Sequence, residues 1–259
     1  VNLADALLPL LPSGPRVIAF VGAGGKTTAL FQLARELESR GRPVLITTTT
    51  HVLDPRRETG RAAMRVLFRP EMETPCPGAS AFDPGPGVTL LVSREAGEPG
   101  KLKGVHSSWV PALRRTRDFV LVEADGSRRL PMKAPGLHEP AIPPGTDLVV
   151  GVVGLDGLGM PMDEQTVHRP ERFAEVTGCA PGAPIAWEHI AALVRHPEGL
   201  FKGSYGARRV VLLNKADAAP ALPSGDELSA LAADLVLLCR LEGDPSVTLF
   251  GKGAGTPCR

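Results

Sequence analysis

The run Gly22-Ala23-Gly24-Gly25-Lys26-Thr27-Thr28 brings together the groups that a chain of phosphates needs. Glycines allow a turn tight enough for backbone N–H groups to point inward at phosphate oxygens. The Lys26 ammonium would reach the β and γ phosphates, and the Thr27 hydroxyl would ligate Mg²⁺. A helix starting near Lys26 would add its N-terminal amides. The pattern Gly-x-x-x-x-Gly-Lys-[Ser/Thr] is met only in its second half, because Phe20 stands where the first glycine would be. The competing reading is a glycine turn with a chance lysine.

A second constellation follows an apolar run at 119–122, which ends in Glu123-Ala124-Asp125-Gly126. Carboxylates at the end of a buried strand, beside a phosphate loop, hold Mg²⁺ directly or through water (the Walker B arrangement). Lys26, Glu123 and Asp125 are therefore the candidate catalytic residues. Asp125 joins Thr27 as a metal ligand, and Glu123 or Asp125 would orient a nucleophile. Asp156-Gly157-Leu158-Gly159 is a rival acidic segment, and a loop-capping aspartate is the alternative for either. The threonines at 47–50 leave the end of another strand where γ-phosphate and Mg²⁺ would be sensed, with Thr49 as the candidate ligand; β-propensity explains them equally well.

The third is Asn214-Lys215-Ala216-Asp217, directly after the apolar run 210–213. A carboxylate such as Asp217 can accept from guanine N1–H and its 2-amino group, a pair of donors that adenine lacks. Asn214 would bond other ring atoms and the Lys215 stem would cover the base. A mismatched base would leave a buried charge unpaired, so such a site discriminates strongly. An ordinary polar loop is the alternative. A dense polar stretch then supplies candidate substrate contacts: Arg128, Lys133, His138, Glu139 and Arg169.

These groups need a scaffold to position them. The apolar run 17–21 leads into the glycine loop, and Leu30, Leu33, Ala34 and Leu37 recur after it at helical spacing. Gly41 and a strand at 44–47 follow, giving a βαβ unit. Further strands are expected at 64–68, 88–92, 119–123, 148–153, 210–213 and 235–239. Helices are expected at 3–11, 109–115, 170–177, 187–195 and 226–233. Such alternation predicts an α/β fold of the P-loop NTPase type, three layers with a mainly parallel sheet flanked by helices. One nucleotide-binding domain spans 1–240, with a loop insertion at about 70–87 and a Gly-rich tail at 241–259.

Composition excludes several classes. The chain has 259 residues and a net charge of +1, without a basic stripe, so nucleic acid is not an expected partner. Apolar residues make up 43% and aromatics 4%, so the core must be aliphatic. No segment is long enough to span a bilayer, and residues 3–11 read as a helix rather than a signal peptide. The four cysteines share no metal-ligand spacing and form no disulfide framework, which fits a reducing cytoplasm.

Taken in order, the glycine loop, Ile46-Thr47-Thr48-Thr49-Thr50, Glu123-Ala124-Asp125-Gly126-Ser127, Lys133-Ala134-Pro135, His138-Glu139-Pro140-Ala141-Ile142-Pro143, His168-Arg169-Pro170-Glu171 and Asn214-Lys215-Ala216-Asp217 resemble the YqeC family, selenium-dependent hydroxylase accessory proteins. The resemblance spans roughly residues 7–217. It implies a role in maturing a selenium-dependent molybdenum hydroxylase or its cofactor, with that enzyme or cofactor as partner. The glycine loop alone also looks like that of the Mur ligases. The leading expectation is Mg²⁺-dependent binding and hydrolysis of GTP, or of ATP. A phosphoryl- or nucleotidyl-transferase or Mur-like ligase, and a non-hydrolysing nucleotide-gated binding protein, are the alternatives.

Overall fold

The structure is a computed structural model that describes residues 1–57, 64–78, 82–243 and 245–251. Its main sheet has nine strands: β1 (Arg16–Gly22), β2 (Val44–Thr48), β3 (Arg65–Phe68), β4 (Val88–Val92), β5 (Phe119–Glu123), β6 (Leu148–Gly154), β7 (Arg208–Asn214), β8 (Leu235–Arg240) and β9 (Ser246–Gly251). Their spatial order is β9-β8-β7-β6-β1-β5-β2-β4-β3. Every neighbouring pair is parallel except β8 with β9.

β1 lies where the chain reverses its direction of travel across the sheet. The strands from β2 to β5 lie on one side of it and those from β6 onward on the other. In open parallel sheets such a reversal opens a crevice at the strands' carboxyl ends. The register puts Phe20 beside Glu123 and Gly22 beside Val152, so the glycine loop leaves the sheet level with the acidic end of β5.

Continuous apolar strands are buried on both faces. On one face Ile18 and Phe20 pack with Leu30, Phe31 and Leu33 of α2 (Lys26–Glu38) and with α1 (Leu3–Leu7). On the other, Ala19 and Val21 meet Phe173 of α4 (Pro170–Thr177) and Ile190 of α5 (Trp187–Arg195). Val17, Trp109 and Val110 belong to a third cluster over β2 and β5, beside α3 (Val110–Leu113). Phe20 is wholly buried in the α2 layer. That explains its place at the first-glycine position: the residue is core, and the turn begins only at Gly22.

The eight predicted strands all form, within about a residue or two at their ends. Four expectations change. The helix expected at 109–115 shrinks to α3 between two 3₁₀ turns, Ser107–Trp109 and Arg114–Thr116. That expected at 226–233 is only α6 (Gly225–Ser229), opened by a reciprocal Ser224–Glu227 cap. Within the tail, Ser246–Gly251 pairs antiparallel with β8, while residues 252–259 lie outside the described residues. The insertion at about 70–87 contains a 3₁₀ turn, Pro70–Glu73, and residues 79–81 also lie outside the description. Two small sheets were not foreseen. One joins His51–Leu53, Arg94–Glu95 and Lys101–Lys103; the other pairs Met132–Lys133 with Val167–His168. Among the described residues no helix is long and apolar enough to cross a membrane.

Candidate functional site

The glycine loop is held from three directions. The Gly22 amide donates to Asp125 Oδ2 at 3.0 Å. The Ala23 amide donates to the Val152 carbonyl at 2.9 Å and the Gly24 amide to that of Leu130 at 3.0 Å. Gly22, Gly24 and Gly25 all have positive φ, at 93°, 79° and 128°. A Cβ on Gly24 would land on the backbone of Gly154, and one on Gly25 on the Asn214 amide. The first three amides thus face the scaffold. The next four, on Gly25, Lys26, Thr27 and Thr28, meet no acceptor among the described residues. They are the open donors that any helix leaves at its start, and α2 has no side-chain cap. These four, rather than Gly22, Ala23 and Gly24, are positioned to receive an anion.

Lys26 is buried, and its Nζ donates to the Gly22 carbonyl at 2.6 Å. The same nitrogen is 3.2 Å from Asp125 Oδ1, an ion pair not aligned as a hydrogen bond. Asp125 Oδ2 also lies 3.0 Å from Lys133 Nζ. Lys133 donates to the Gly126 carbonyl and to Glu139, each at 2.6 Å, and Glu139 accepts from Arg169 at 2.7 Å. An alternating series, Lys26–Asp125–Lys133–Glu139–Arg169, therefore runs from the glycine loop to the start of α4. Lys133 and Glu139, expected at a substrate, are internal members of this series. Burial pushes the Glu139 carboxyl up, but the Arg169 hydrogen bond and the Lys133 charge outweigh it and hold it at about 2.

Glu123 sits differently. Its Oε2 accepts from the Thr27 hydroxyl at 2.9 Å, and burial raises its carboxyl above the usual range against the pull of Lys26. Thr27 and Glu123 are thus the side-chain pair nearest the open amides, whereas Asp125 is enclosed by two lysines. The Thr49 hydroxyl donates to the Ala141 carbonyl at 2.9 Å and serves the loop. Among the described residues no group of three or more His, Cys, Asp or Glu side chains forms a metal site. Mg²⁺ commonly takes one or two carboxylates and completes its shell with phosphate and water, and the Thr27–Glu123 pair fits that pattern.

Asn214 is buried and its Nδ2 donates to the Gly24 carbonyl at 2.9 Å, while its Oδ1 meets no partner. The loop after β7 thus abuts the glycine loop. Lys215, in a left-handed conformation, pairs with Asp156 at 2.6 Å, which accounts for the rival acidic segment. Asp217 is exposed.

On the opposite side, next to Thr27 and Glu123, lies a cleft of about 670 Å³ that includes His51, Lys101, Arg128, Arg129, Glu139 and His168. A second cleft of about 350 Å³, bounded by Arg169 and Glu171, shares Arg128 and His168 with it. Burial, and then the charges of Arg169, Lys133 and Arg128, push His168 down to about 4, so the ring is neutral at physiological pH. His138 is exposed and lines neither cleft; nor does Asp217. Among the cleft residues not put forward as site candidates are His168 and Glu98. Adjacency to Arg169 pointed toward the first, and nothing local marked the second.

Fold and site together define an α/β protein whose glycine loop, lysine and carboxylates meet at the reversal point of a mainly parallel sheet. The model of the family described as YqeC protein matches residues 18–171. A relative in Escherichia coli (strain K12), "Uncharacterized protein YqeC", is 41% identical over 204 residues, which cover 78% of this chain and 76% of the relative. This chain belongs to the YqeC family. No solved structure matches it. The family match includes the glycine loop, β5 and the first turn of α4, and ends before Asn214.

Proposed function

We propose that the chain binds a nucleoside triphosphate with Mg²⁺ and hydrolyses it, with guanine as the preferred base. The observation that carries this reading is the row of four open amides on Gly25–Thr28, beside the buried Lys26 ammonium and the Thr27–Glu123 pair. Backbone dipoles and a buried cation converge there on a place for negative charge, and fixed donors of this kind stabilise charge without reorganising. Thr27 and Glu123 would hold Mg²⁺, which would neutralise charge on the β and γ oxygens. Asp125 pairs with Lys26 and accepts from the Gly22 amide. The buried, unpaired Oδ1 of Asn214 supports a base on the β7 side, with the exposed Asp217 carboxylate free to take the guanine donors. The family resemblance implies maturation of a selenium-dependent molybdenum hydroxylase or its cofactor as the process served.

Titration of the chain with GTP, ATP and CTP in the presence of Mg²⁺, followed by product analysis, tests each part. GTP should bind, and Lys26→Ala should abolish binding. Asp217→Asn should weaken GTP while sparing ATP. Equal affinity for ATP and GTP would remove the guanine assignment, and unaltered binding by Lys26→Ala would remove the phosphate site itself.

A further inference from the structure

A hydrolytic site needs room for one water beside the terminal phosphate. The cleft bordering Thr27 and Glu123 holds about 670 Å³, well within the range of small-molecule sites. Its walls follow the ends of β2 and β5, across β1 from β7, and Asn214, which abuts Gly24, lines neither cleft. A nucleotide with its base toward β7 and its phosphates on Gly25–Thr28 would leave this cleft empty beyond its terminal phosphate.

The charges in the cleft are unevenly matched. Lys101 is paired with Glu98, Glu139 with Lys133 and Arg169, and Glu123 with the Thr27 hydroxyl. Arg128 and Arg129 form no hydrogen bond or ion pair among the described residues. Both hold a left-handed backbone, with φ of 51° and 63°. That conformation is strained for a residue bearing a Cβ, and such strain gathers at ligand sites. The turn that carries them is fastened to the phosphate loop: the Leu130 amide donates to Ser127, and the Leu130 carbonyl accepts from Gly24, each at 3.0 Å. The backbone that carries two guanidinium groups without hydrogen-bonded partners is thus tied to the loop of open amides, with Glu98, already paired to Lys101, as the carboxylate whose charge Arg128 feels. Arginine's planar fork suits bidentate contact with phosphate or carboxylate.

We propose that this cleft is a second ligand site, for a small molecule bearing a phosphate or carboxylate group, which Arg128 and Arg129 hold beside the terminal phosphate of the nucleotide. The site rests on the triphosphate reading for its neighbour and on the arginine pair for its ligand. It makes the protein a two-substrate device rather than one that takes water alone, in a cleft whose lining includes Glu139 but neither Lys133 nor His138.

Calorimetric titration with glycerol 3-phosphate tests it, on the full chain saturated with Mg²⁺ and a non-hydrolysable GTP analogue. Binding should be detected, and the Arg128→Gln/Arg129→Gln double variant should bind about tenfold or more weakly, the loss expected for charge-assisted hydrogen bonds. Both arginines are exposed, so the variant should melt with the parent chain. The same titration on the nucleotide-free Lys26→Ala chain reads the cleft without the phosphate loop. Arginine-dependent binding there, with no analogue binding to the parent chain, would reject the triphosphate reading and keep the second site. Binding that is absent, or indifferent to both arginines, overturns this proposal whatever the nucleotide does.

Discussion

Replacing Asp125 by Asn tests whether the buried charge series is structural. The Asp125, Lys26 and Lys133 side chains are 1%, 2% and 0% exposed, so the charges have almost no water to fall back on. Asn can still accept from the Gly22 amide, so the substitution removes charge while sparing most of the shape. Lys133 would retain Glu139, but Lys26 would retain the Gly22 carbonyl and the pull of Glu123, with which it forms no ion pair among the described residues. Removing one partner of a buried pair costs about 3–5 kcal/mol; with Glu139 still in place, the expectation is about 3 kcal/mol. For a domain of this size that lowers Tm by about 6–12 °C. Circular dichroism during heating and urea titration would measure it. Lys26→Met made in the Asp125→Asn background should recover part of the loss, with a coupling of at least about 1 kcal/mol. A loss below about 0.5 kcal/mol, or strict additivity, would show that water or rearrangement compensates the lysines and would refute the argument.

Gly24→Ala should destabilise the chain by about 3 kcal/mol, through left-handed strain and overlap with the Gly154 backbone, and should abolish triphosphate binding in the same titration. Stability should fall as pH drops from 6.5 toward 4, because His168 stays unprotonated in the fold to about 4 while the unfolded chain takes up the proton; urea midpoints across pH would show this limb, and His168→Gln should flatten it. A second loss should follow below about 4.5 and run toward pH 2, as Glu139 gives up a carboxylate that the fold favours; Glu139→Gln should remove that limb. Thiol reagents at pH 8, read residue by residue by mass spectrometry, should label the half-exposed Cys76 well before Cys239, whose thiol burial pushes up to about 12.

The sheet was legible because buried parallel strands are written as unbroken apolar runs, and the glycine loop because it directly follows one of them. The acidic end of β5 was legible for the same reason. What local pattern does not carry is the partner of each polar group. Asp125 and Glu123 are two residues apart, yet one lies between two lysines and the other meets Thr27; this depends on where residues 126–139 fold back. Lys133 and Glu139 read as ligand contacts because charged residues in a loop usually face solvent; the ion pairs show that Lys133 is buried between two carboxylates, while Glu139 keeps a place in the cleft wall. The Thr49 hydroxyl likewise donates to the Ala141 carbonyl, a bond across 92 positions of chain. The small sheets escaped notice because strands of two or three residues have no period to detect. In 241–259, glycines obscured the alternation of Val247 and Leu249.

The strand β9 has a consequence beyond completing the sheet. Without it β8 would present an uncovered backbone edge along Leu235–Arg240, flanked by buried apolar side chains. Such an edge is a template for a strand from another molecule. By doubling back antiparallel, the chain fills that template with its own residues and moves the sheet's edge out to Ser246–Gly251, four strands away from the one that leads into the glycine loop.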